Sequence, residues 1–360
     1  MEFTKRDTKI LKGIAICLML CHHLFTFPDM LVGVSFVSLP FIEGMSVATR
    51  AGEFGKICVA LFTLLGGYGA YVSAARSDKS DAELTGRHLV SLYTTFWKVF
   101  IIAVPVSLLL GQPHGSPFLE DLIYSFLGLR FTYCSEWWFI TPFALITILS
   151  PLIRRFADRR HGSFLSSLLW LACFSAFIYY LLPAIMRTSL LFDFSQTFFW
   201  IESYTIMTLV PAYAMGCLLA KYDLLSRFKA LCMSARKAPL LFGALAVLAV
   251  LFYMHIYTWQ LYDFINSALF ICCVLVLLST RPGHYIAPLF EKLGEESTSM
   301  WLTHTLLCYH WCQKLVYAPR FAPLIFVWLV VLSYALARLI RLFYSLLSRA
   351  YAKLGARRAA

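Results

Sequence analysis

Long apolar runs, separated by short charged or Pro/Gly-rich breaks, recur from one end of the chain to the other. Many approach the roughly 20 residues that an α-helix needs to cross a bilayer. They lack the two-residue alternation of membrane β-barrel strands, and helices satisfy their own backbone hydrogen bonds in lipid. The pattern therefore predicts an all-α, polytopic membrane protein of about ten transmembrane helices. The predicted spans lie near residues 10–28, 56–75, 89–110, 137–153, 164–183, 203–221, 239–255, 262–280, 297–317 and 323–346.

The segment from Pro28 to Gly55 is less clearly apolar, because Pro40 and Arg50 interrupt it. We interpret it as an outer loop rather than as a further crossing, with a re-entrant or interfacial piece as the alternative. No internal repeat, low-complexity run or linker divides the chain. Residues 1–360 are therefore predicted to form a single integral-membrane domain.

Composition and charge support a protein that is solvated by lipid. The chain is 60% hydrophobic and only 14% charged, which is unusual for a soluble domain. Its formal net charge of +12 comes from Lys and Arg residues spread through short loops, so a nucleic-acid partner is not expected. A cytoplasmic N-terminus puts all but six of the 31 basic residues on the inner side, as the positive-inside rule requires. An even number of spans, with both termini cytoplasmic, follows.

Common metal and nucleotide motifs are missing from the sequence. The 11 cysteines are scattered without a CxxC pair, and HExxH, Walker, GxGxxG and GxSxG patterns are absent. His304 and His310 are six residues apart, which does not put two ligands on one face of a helix. We therefore expect reduced cysteines and no bound metal.

Two adjacent histidines, His22 and His23, stand near the outer end of the first predicted span. Ionisable residues inside a span are costly in lipid and are usually functional or paired. Lys12 precedes His23 by 11 positions, which is about 16 Å and three helical turns. Histidine suits acid–base chemistry because its unperturbed pKa is about 6.5. The two side chains point about 100° apart, so at most one is expected to be catalytic, and a structural hydrogen bond is the alternative role.

Several motifs resemble those of the integral-membrane acyltransferase 3 family. KGIAICLMLCHHLF resembles its opening helix, in which a His follows a basic residue by 11 positions. FTLLGGYGAY resembles FxxLSGYG, with Gly67 and Tyr68 in register and Gly66 where the family has Ser. RHLVSLYTTFW resembles the basic entry to the third helix, with Arg87 in place and Ser91 where a second Arg is usual.

Two later segments continue the resemblance in the family's order. SEWWFITPFALITILSPLI resembles the WWFL…LLSPLI span, with Trp137 and Trp138 in place. LGEESTSMWLTHTLL resembles the late GKxSmxiWLxHt segment, with Trp301 and His304 in register. Together the five motifs extend over nearly the whole chain, which makes the resemblance much stronger than any one of them does.

The resemblance implies transfer of an acyl group, most often acetyl, from cytoplasmic acyl-CoA to a hydroxyl of an extracytoplasmic or lipid-linked carbohydrate. Acetyl-CoA would be a co-substrate, the glycan acceptor and the lipid bilayer would be the other partners, and the setting would be a bacterial cytoplasmic membrane. His23 is the expected general base and His22 the fallback, with an acyl-histidine intermediate as a variant. The acceptor, the acyl length and the oligomeric state, a homo-oligomer included, stay open.

Cationic residues at the predicted cytoplasmic helix ends are candidates for binding the donor. Lys12, Arg87 and Lys98 could contact phosphate or carbonyl groups, for which Lys and Arg are suited. Tyr68 joins them as a residue of the second-helix motif. The alternative for the three cations is that they are simply positive-inside charges.

Glu136, Trp137, Trp138 and His304 are candidates for binding the acceptor. An acidic residue beside aromatic side chains at a helix mouth is typical of a sugar-facing arrangement. The alternatives are an interfacial aromatic belt for the tryptophans and a structural pairing for His304, and we favour these alternatives for the three residues.

A carrier or flippase for a sugar, lipid or small metabolite is the second functional class that the sequence allows. Its interior histidines and carboxylates would relay protons or bind substrate. Transporters often have repeat symmetry and broken helices in matching halves, and neither is evident here. A sensor or scaffold without turnover ranks third, because it would not need an ordered set of His, Arg and Trp motifs.

Overall fold

The computed structural model of the chain describes residues 2–41, 44–113, 115–159, 162–257 and 259–359. Within these ranges there are helices, turns and two isolated β-bridges, but no β-strand. The predicted all-α class is confirmed.

The helices follow one another along both halves of the chain. The N-terminal half contains α1 (Lys5–Phe25), α2 (Val47–Gly55), α3 (Cys58–Ala75), α4 (Asp81–Leu109), α5 (Phe118–Phe126), α6 (Ile140–Arg159), α7 (Phe164–Ala176), α8 (Leu182–Met186) and α9 (Phe192–Ser195). The C-terminal half contains α10 (Phe198–Lys221), α11 (Leu224–Ser234), α12 (Lys237–Tyr257), α13 (Asp263–Leu278), α14 (Arg281–Glu295), α15 (Ser297–Thr305), α16 (Gln313–Tyr317) and α17 (Ala322–Ala359). Short 3₁₀ segments at Ser135–Phe139 and Trp259–Tyr262, and π-helical turns at Phe177–Leu181 and Leu306–Trp311, adjoin them.

Eight helical segments among the described residues are long and apolar enough to cross a membrane. They are Lys5–Phe25, Val47–Ala75, Asp81–Leu109, Ser135–Asp158, Phe164–Met186, Phe198–Lys221, Lys237–Tyr257 and Ala322–Ala352. A ninth crossing results if α13 and α14, which are bent by 117°, form one broken span. The chain is thus a polytopic integral membrane protein, and the cytoplasmic placement of its ends stays a prediction from the charge pattern.

Two segments differ from the predicted spans. In 297–317, α15 and the following π-turn end at Cys312, whose backbone leaves the helical region (φ −143°, ψ 45°) before α16 begins. The unbroken part, 297–311, is about 22 Å long, less than the roughly 30 Å of a hydrocarbon core. Hydropathy does not detect this break because Cys312 is itself apolar. In the predicted outer loop, residues 47–55 are helical and extend the second span towards the N-terminus.

The chain folds as two compact units. The first comprises residues 1–19, 53–90 and 139–294, and the second comprises residues 20–52, 91–138 and 295–360. In the first unit α3 packs closely on α10. A Cβ on Gly67 would collide with the carbonyl of Tyr213, and a Cβ on Gly216 would collide with the carbonyl of Leu64. Small residues at such positions let two helix backbones approach closely in a membrane, which accounts for Gly67 of the second-helix motif.

Polar side chains also pair within the first unit. Lys229 Nζ lies 2.7 Å from the Asp7 carboxylate. Between α12 and α13, His255 Nδ1 lies 2.7 Å from Asp263 Oδ1, and Asn266 donates to the same oxygen at 3.4 Å. His255 and Asp263 are 6% and 9% exposed, so this pair is enclosed by protein.

The second unit has a core rich in aromatic side chains. Trp137 is 1% exposed and meets the ring of Phe96 edge-on, with 5.4 Å between the ring centroids. Its indole Nε1 donates to the carbonyl of Leu302 in α15 at 2.8 Å. This contact fixes α15 against the segment that leads into α6, and α15 carries His304.

Candidate active site

His23 and His304 meet inside the second unit. His23 lies two residues before the end of α1, and His304 lies in the last turn of α15. His23 Nδ1 is 3.0 Å from His304 Nε2, a hydrogen-bonding distance, and the ring centroids are 4.8 Å apart. His304 is fully buried and His23 is half-buried. The structure therefore joins the predicted base to a histidine that the sequence favoured as a structural residue.

The second ring nitrogen of His304 is anchored to its own helix. His304 Nδ1 is 2.8 Å from the carbonyl oxygen of Trp301 and 3.1 Å from that of Met300. Because carbonyl oxygens only accept, Nδ1 is the protonated nitrogen. The ring of His304 is thus held from both ends.

Tyr309, in the π-turn after α15, also contacts this pair. Its phenolic hydroxyl donates to the backbone carbonyl of His23, and the Tyr309 and His23 rings have centroids 6.3 Å apart. π-Turns are rare and are frequent at functional sites. The sequence did not point to Tyr309, because an apolar run with helical periodicity does not indicate which helix type it forms.

His22 has different partners from His23. Its Nδ1 is 2.9 Å from the backbone carbonyl of Gly52 and 3.2 Å from Thr26 Oγ1. His22 is 8% exposed. This position suits a histidine that links α1 to the end of α2, while His23 is the one that meets His304. The assignment of His23 as base stays a prediction that this geometry favours.

Glu136 belongs to a compact polar cluster in the same unit. Its carboxylate accepts from the Ser135 hydroxyl at 2.6 Å and from the Cys134 thiol at 3.4 Å, and it lies 3.7 Å from His310 Nε2. The Cys134 thiol is also 3.3 Å from Thr305 Oγ1. Glu136 is thus tied to α15 and to the π-turn by way of Thr305 and His310.

One group of possible metal ligands occurs within the part of the chain that the structure describes. Single ligand atoms of Cys134, Glu136 and His310 lie within 4.8 Å of one another. The contacts among these side chains already supply partners for the Glu136 carboxylate. Cys134 and Ser135 donate to that carboxylate, whereas His310 Nε2 is buried 3.7 Å from it without a hydrogen-bond partner among the described residues. The absence of a bound metal stays a prediction.

The two tryptophans beside Glu136 differ in exposure. Trp137 is buried and bonded to α15, so it packs in the core. Trp138 is 39% exposed, which suits the interfacial role given as the alternative. The exposure of these two side chains does not test acceptor binding, which stays a prediction for both.

A polar cavity of about 890 Å³ lies beside α4, α15 and α17 in the second unit. Its lining includes Thr95, Lys98, Ser299, Arg341 and Tyr344. Lys98 Nζ lies 5.6 Å from the centre of the Tyr344 ring, and the Tyr344 hydroxyl donates to the Lys98 carbonyl at 3.1 Å. The cavity has the size of a small-molecule site. Its wall includes the first turn of the helix that carries His304.

The same cavity contains a buried carboxylate. Glu296 is 3% exposed and lies 3.1 Å from Arg341 Nε and 3.8 Å from Arg338 Nη1. Burial raises the pKa of the Glu296 carboxyl, and the attraction of the two guanidinium groups opposes this rise. The charge pattern of the sequence indicates only that both arginines are positive-inside charges. Both arginines lie inside the apolar run 323–346, where an ionisable residue is costly. That position is the sequence signal that could have identified them as candidate site residues.

The other predicted donor residues lie in the first unit. Tyr68 is buried, with its ring 5.0 Å from that of Phe3 in an edge contact. Arg87 is exposed and pairs with Glu83 at 3.1 Å. Lys12 is half-buried on α1. Their roles in donor binding stay predictions.

The profile of the acyltransferase 3 family, described as an acyltransferase domain, matches residues 8–342. This is nearly the whole chain. The chain belongs to the acyltransferase 3 family. No curated protein and no solved structure matches it significantly. The protein is therefore a membrane acyltransferase, and the geometry of its second unit can be considered in terms of acyl transfer.

Proposed function

We propose that this acyltransferase moves an acyl group, in the first instance acetyl, from cytoplasmic acyl-CoA to a hydroxyl of an extracytoplasmic or lipid-linked carbohydrate. Its setting would be the cytoplasmic membrane of a bacterium. The observation that carries the proposal is the 3.0 Å contact between His23 and His304 in the interior of a membrane acyltransferase.

In the proposed reaction His23 takes the proton of the acceptor hydroxyl while that oxygen attacks the thioester carbonyl carbon. The new C–O bond forms and the C–S bond breaks. The departing coenzyme A sulfur takes the proton from the His23 imidazolium, so the products are an ester and a free thiol. A positioned general base of this kind contributes about 10²- to 10⁴-fold to a rate.

The polar cavity is the proposed donor site. Lys98 and Arg341 in its lining supply cationic groups for the phosphates of coenzyme A, which both residue types bind well. Ser299 lines the cavity and stands five residues before His304 on α15, which is about 7.5 Å along the helix axis. An extended pantetheine arm would cover such a distance. The charge pattern of the sequence puts this end of α15 on the cytoplasmic side, where the donor is made.

The acceptor would approach His23 from the opposite end, near the polar cluster of Glu136. A carboxylate held by Ser135 and Cys134 can accept hydrogen bonds from sugar hydroxyls. Trp138, partly exposed next to it, offers an aromatic surface. We assign the carbohydrate class to this side of the protein on those two features.

The proposed function is tested with purified protein and acetyl-CoA labelled in the acetyl group. Saturable binding, release of coenzyme A thiol and label in a carbohydrate acceptor are the expected results. Absence of saturable binding and of thiol release would contradict the proposal and would favour a carrier.

The acceptor is identified by comparing acetylation of surface glycans in cells with and without the gene. Loss of acetyl groups from one glycan is the expected result. Unchanged acetylation of every glycan, together with active thiol release by the purified protein, would exclude a carbohydrate acceptor while leaving the acyltransferase activity in place.

A further inference from the structure

The hydrogen bonds of His304 determine which of its nitrogens carries a proton. Two backbone carbonyls, of Met300 and Trp301, face Nδ1 at 3.1 and 2.8 Å. A carbonyl oxygen has no proton to give, so Nδ1 must be the donor. The imidazole is fully buried, and burial penalises a charged ring. His304 is therefore neutral, with its lone pair on Nε2.

The proton position of His304 then determines that of His23. His304 Nε2 can only accept, and the atom that faces it at 3.0 Å is His23 Nδ1. His23 must therefore carry its proton on Nδ1, which leaves the basic lone pair on Nε2. The backbone of α15 thus selects the tautomer of a histidine that lies on a different helix.

We propose that His304 is a positioning residue for the reaction, which fixes His23 as the Nδ1-protonated tautomer and makes His23 Nε2 the basic atom. The proposal rests on the proposed function of His23 as the base. It extends that function by naming the reacting nitrogen and the group that selects it. A triad uses the same principle, because its third group holds the tautomer of the catalytic histidine without taking the proton.

The contact would also strengthen as the reaction proceeds. When His23 Nε2 takes the hydroxyl proton, the ring becomes cationic, and its Nδ1–H then donates a charge-assisted hydrogen bond to His304 Nε2. Such bonds are roughly twice as strong as neutral ones. No proton passes to His304 Nε2 in this step, because His304 already holds its Nδ1 proton and a second one would place a charged ring in a fully buried position.

The other polar groups near the pair come from three segments. From the π-turn, the Tyr309 hydroxyl bonds to the His23 carbonyl, and His310 lies beside Glu136. Glu136, on the segment before α6, is the carboxylate whose charge acts on both rings. From α1, the ring of His22 has its centroid 5.2 Å from that of His23. Because these side chains are also ionisable, the tautomer of His23 is measured directly rather than inferred from a pH profile.

Three substitutions at His304 separate its two contacts. In His304→Gln the terminal amide reaches towards the Nε2 position and can accept from His23 Nδ1. In His304→Asn the shorter amide can still donate to the carbonyls of Met300 and Trp301 but falls short of His23. His304→Leu keeps the bulk of the ring and loses both contacts.

We expect His304→Asn and His304→Leu to lower kcat for acyl transfer by on the order of 10²-fold or more, with KM for acetyl-CoA little changed. His304→Gln should recover a substantial part of this loss. Folding is checked by thermal unfolding of each variant. A kcat for His304→Asn equal to that of the native protein would overturn the proposal, as would equal losses in the Gln and Asn variants.

The tautomer is measured directly by NMR of protein labelled with ¹⁵N-histidine. The signals of His23 are assigned by their disappearance in His23→Gln. A pyridine-like Nε2 and a pyrrole-like Nδ1 at His23 are the expected result, and the reverse pattern would overturn the proposal. This measurement needs no substrate, so it separates failure of the tautomer assignment from failure of the proposed acyltransferase reaction.

Discussion

Two hydrogen-bonded pairs that contain histidine, one in each unit, show how differently the same side chain can be used inside a membrane protein. In the first unit His255 faces a carboxylate, Asp263, at 2.7 Å, and both residues are almost fully enclosed. In the second unit His23 faces a second imidazole at 3.0 Å, and the far nitrogen of that imidazole is tied to backbone carbonyls. The His255–Asp263 hydrogen bond links two helices, whereas the His23–His304 pair fixes the position of a proton.

The surroundings of the two pairs differ as well. Phe54 meets His255 edge-on at 5.7 Å between ring centroids. Asn266 donates a second hydrogen bond to Asp263. The His23 pair instead lies in a unit that has a polar cavity of about 890 Å³ along the same helix as His304. We therefore expect an ionisable residue in a span to be catalytic when its partners leave it able to exchange a proton with a substrate.

Breaking the His255 pair should have the largest effect on stability. His255→Leu leaves the Asp263 carboxylate buried without its partner, which costs about 3–5 kcal/mol of unfolding free energy. The activity of the fraction that stays folded should be unchanged. The loss of stability is measured by thermal unfolding in detergent, and the activity is measured per folded molecule.

The matched control is the double variant His255→Leu with Asp263→Leu. Replacing both partners of a buried pair by apolar residues is often neutral or stabilising. If the double variant were as unstable as the single one, the lost His255–Asp263 contact would not be the source of the destabilisation.

Close backbone packing in the first unit gives the next largest effect. Gly67→Ala should destabilise the protein by about 1–3 kcal/mol, because the new Cβ meets the Tyr213 carbonyl and overpacking of this kind costs that much. Gly69→Ala is the control on the same helix, since a Cβ there meets no heavy atom within 4 Å. Equal melting temperatures for the two variants would contradict the role given to α3–α10 packing.

Lys98 offers a smaller test within the second unit. Lys98→Met should raise KM for acetyl-CoA by about twofold to fivefold, the range of an exposed charge contact, with kcat unchanged. Lys314→Met, also exposed but outside the cavity lining, is the control and should leave KM unaltered. Identical KM values for the Lys98 variant and the native protein would remove Lys98 from the donor site.

The smallest expected effect is a pH dependence of stability from Glu296. Because burial raises the pKa of its carboxyl, the native state binds this proton more tightly than the unfolded state does. The contribution of the Glu296 carboxyl to the unfolding free energy is therefore fully present below the unfolded pKa of about 4.3. It is lost as pH rises through the higher native pKa. Glu296→Gln should flatten that part of the curve of melting temperature against pH, and a curve parallel to that of the native protein would contradict this.

Much of the fold could be predicted because hydropathy reports directly on lipid exposure. The spans, their helical type and the polytopic class follow from apolar runs alone. The break at Cys312 could not be predicted, since it is a change of backbone conformation within an apolar segment. The helical stretch 47–55 was missed because Pro40 and Arg50 make its surroundings resemble a loop.

The candidate site was only partly predictable for a related reason. Sequence pattern put His22 and His23 on one helix but could not say which faced a partner, because that depends on how the helix is rotated. The contact with His304 joins positions 281 residues apart, and no local pattern contains such a distance. Arg338 and Arg341 were interpreted by topology alone, since their partner Glu296 comes from another helix.

The central claim is that His23 is the base for acyl transfer, and one comparison tests it most directly. Native protein and His23→Gln, purified in parallel and matched in melting temperature, are mixed with labelled acetyl-CoA and the acceptor identified from cells. If His23 is the base, transfer by the variant falls by about 10²- to 10⁴-fold while saturable binding of acetyl-CoA is retained. Transfer by His23→Gln at the native rate would contradict the claim.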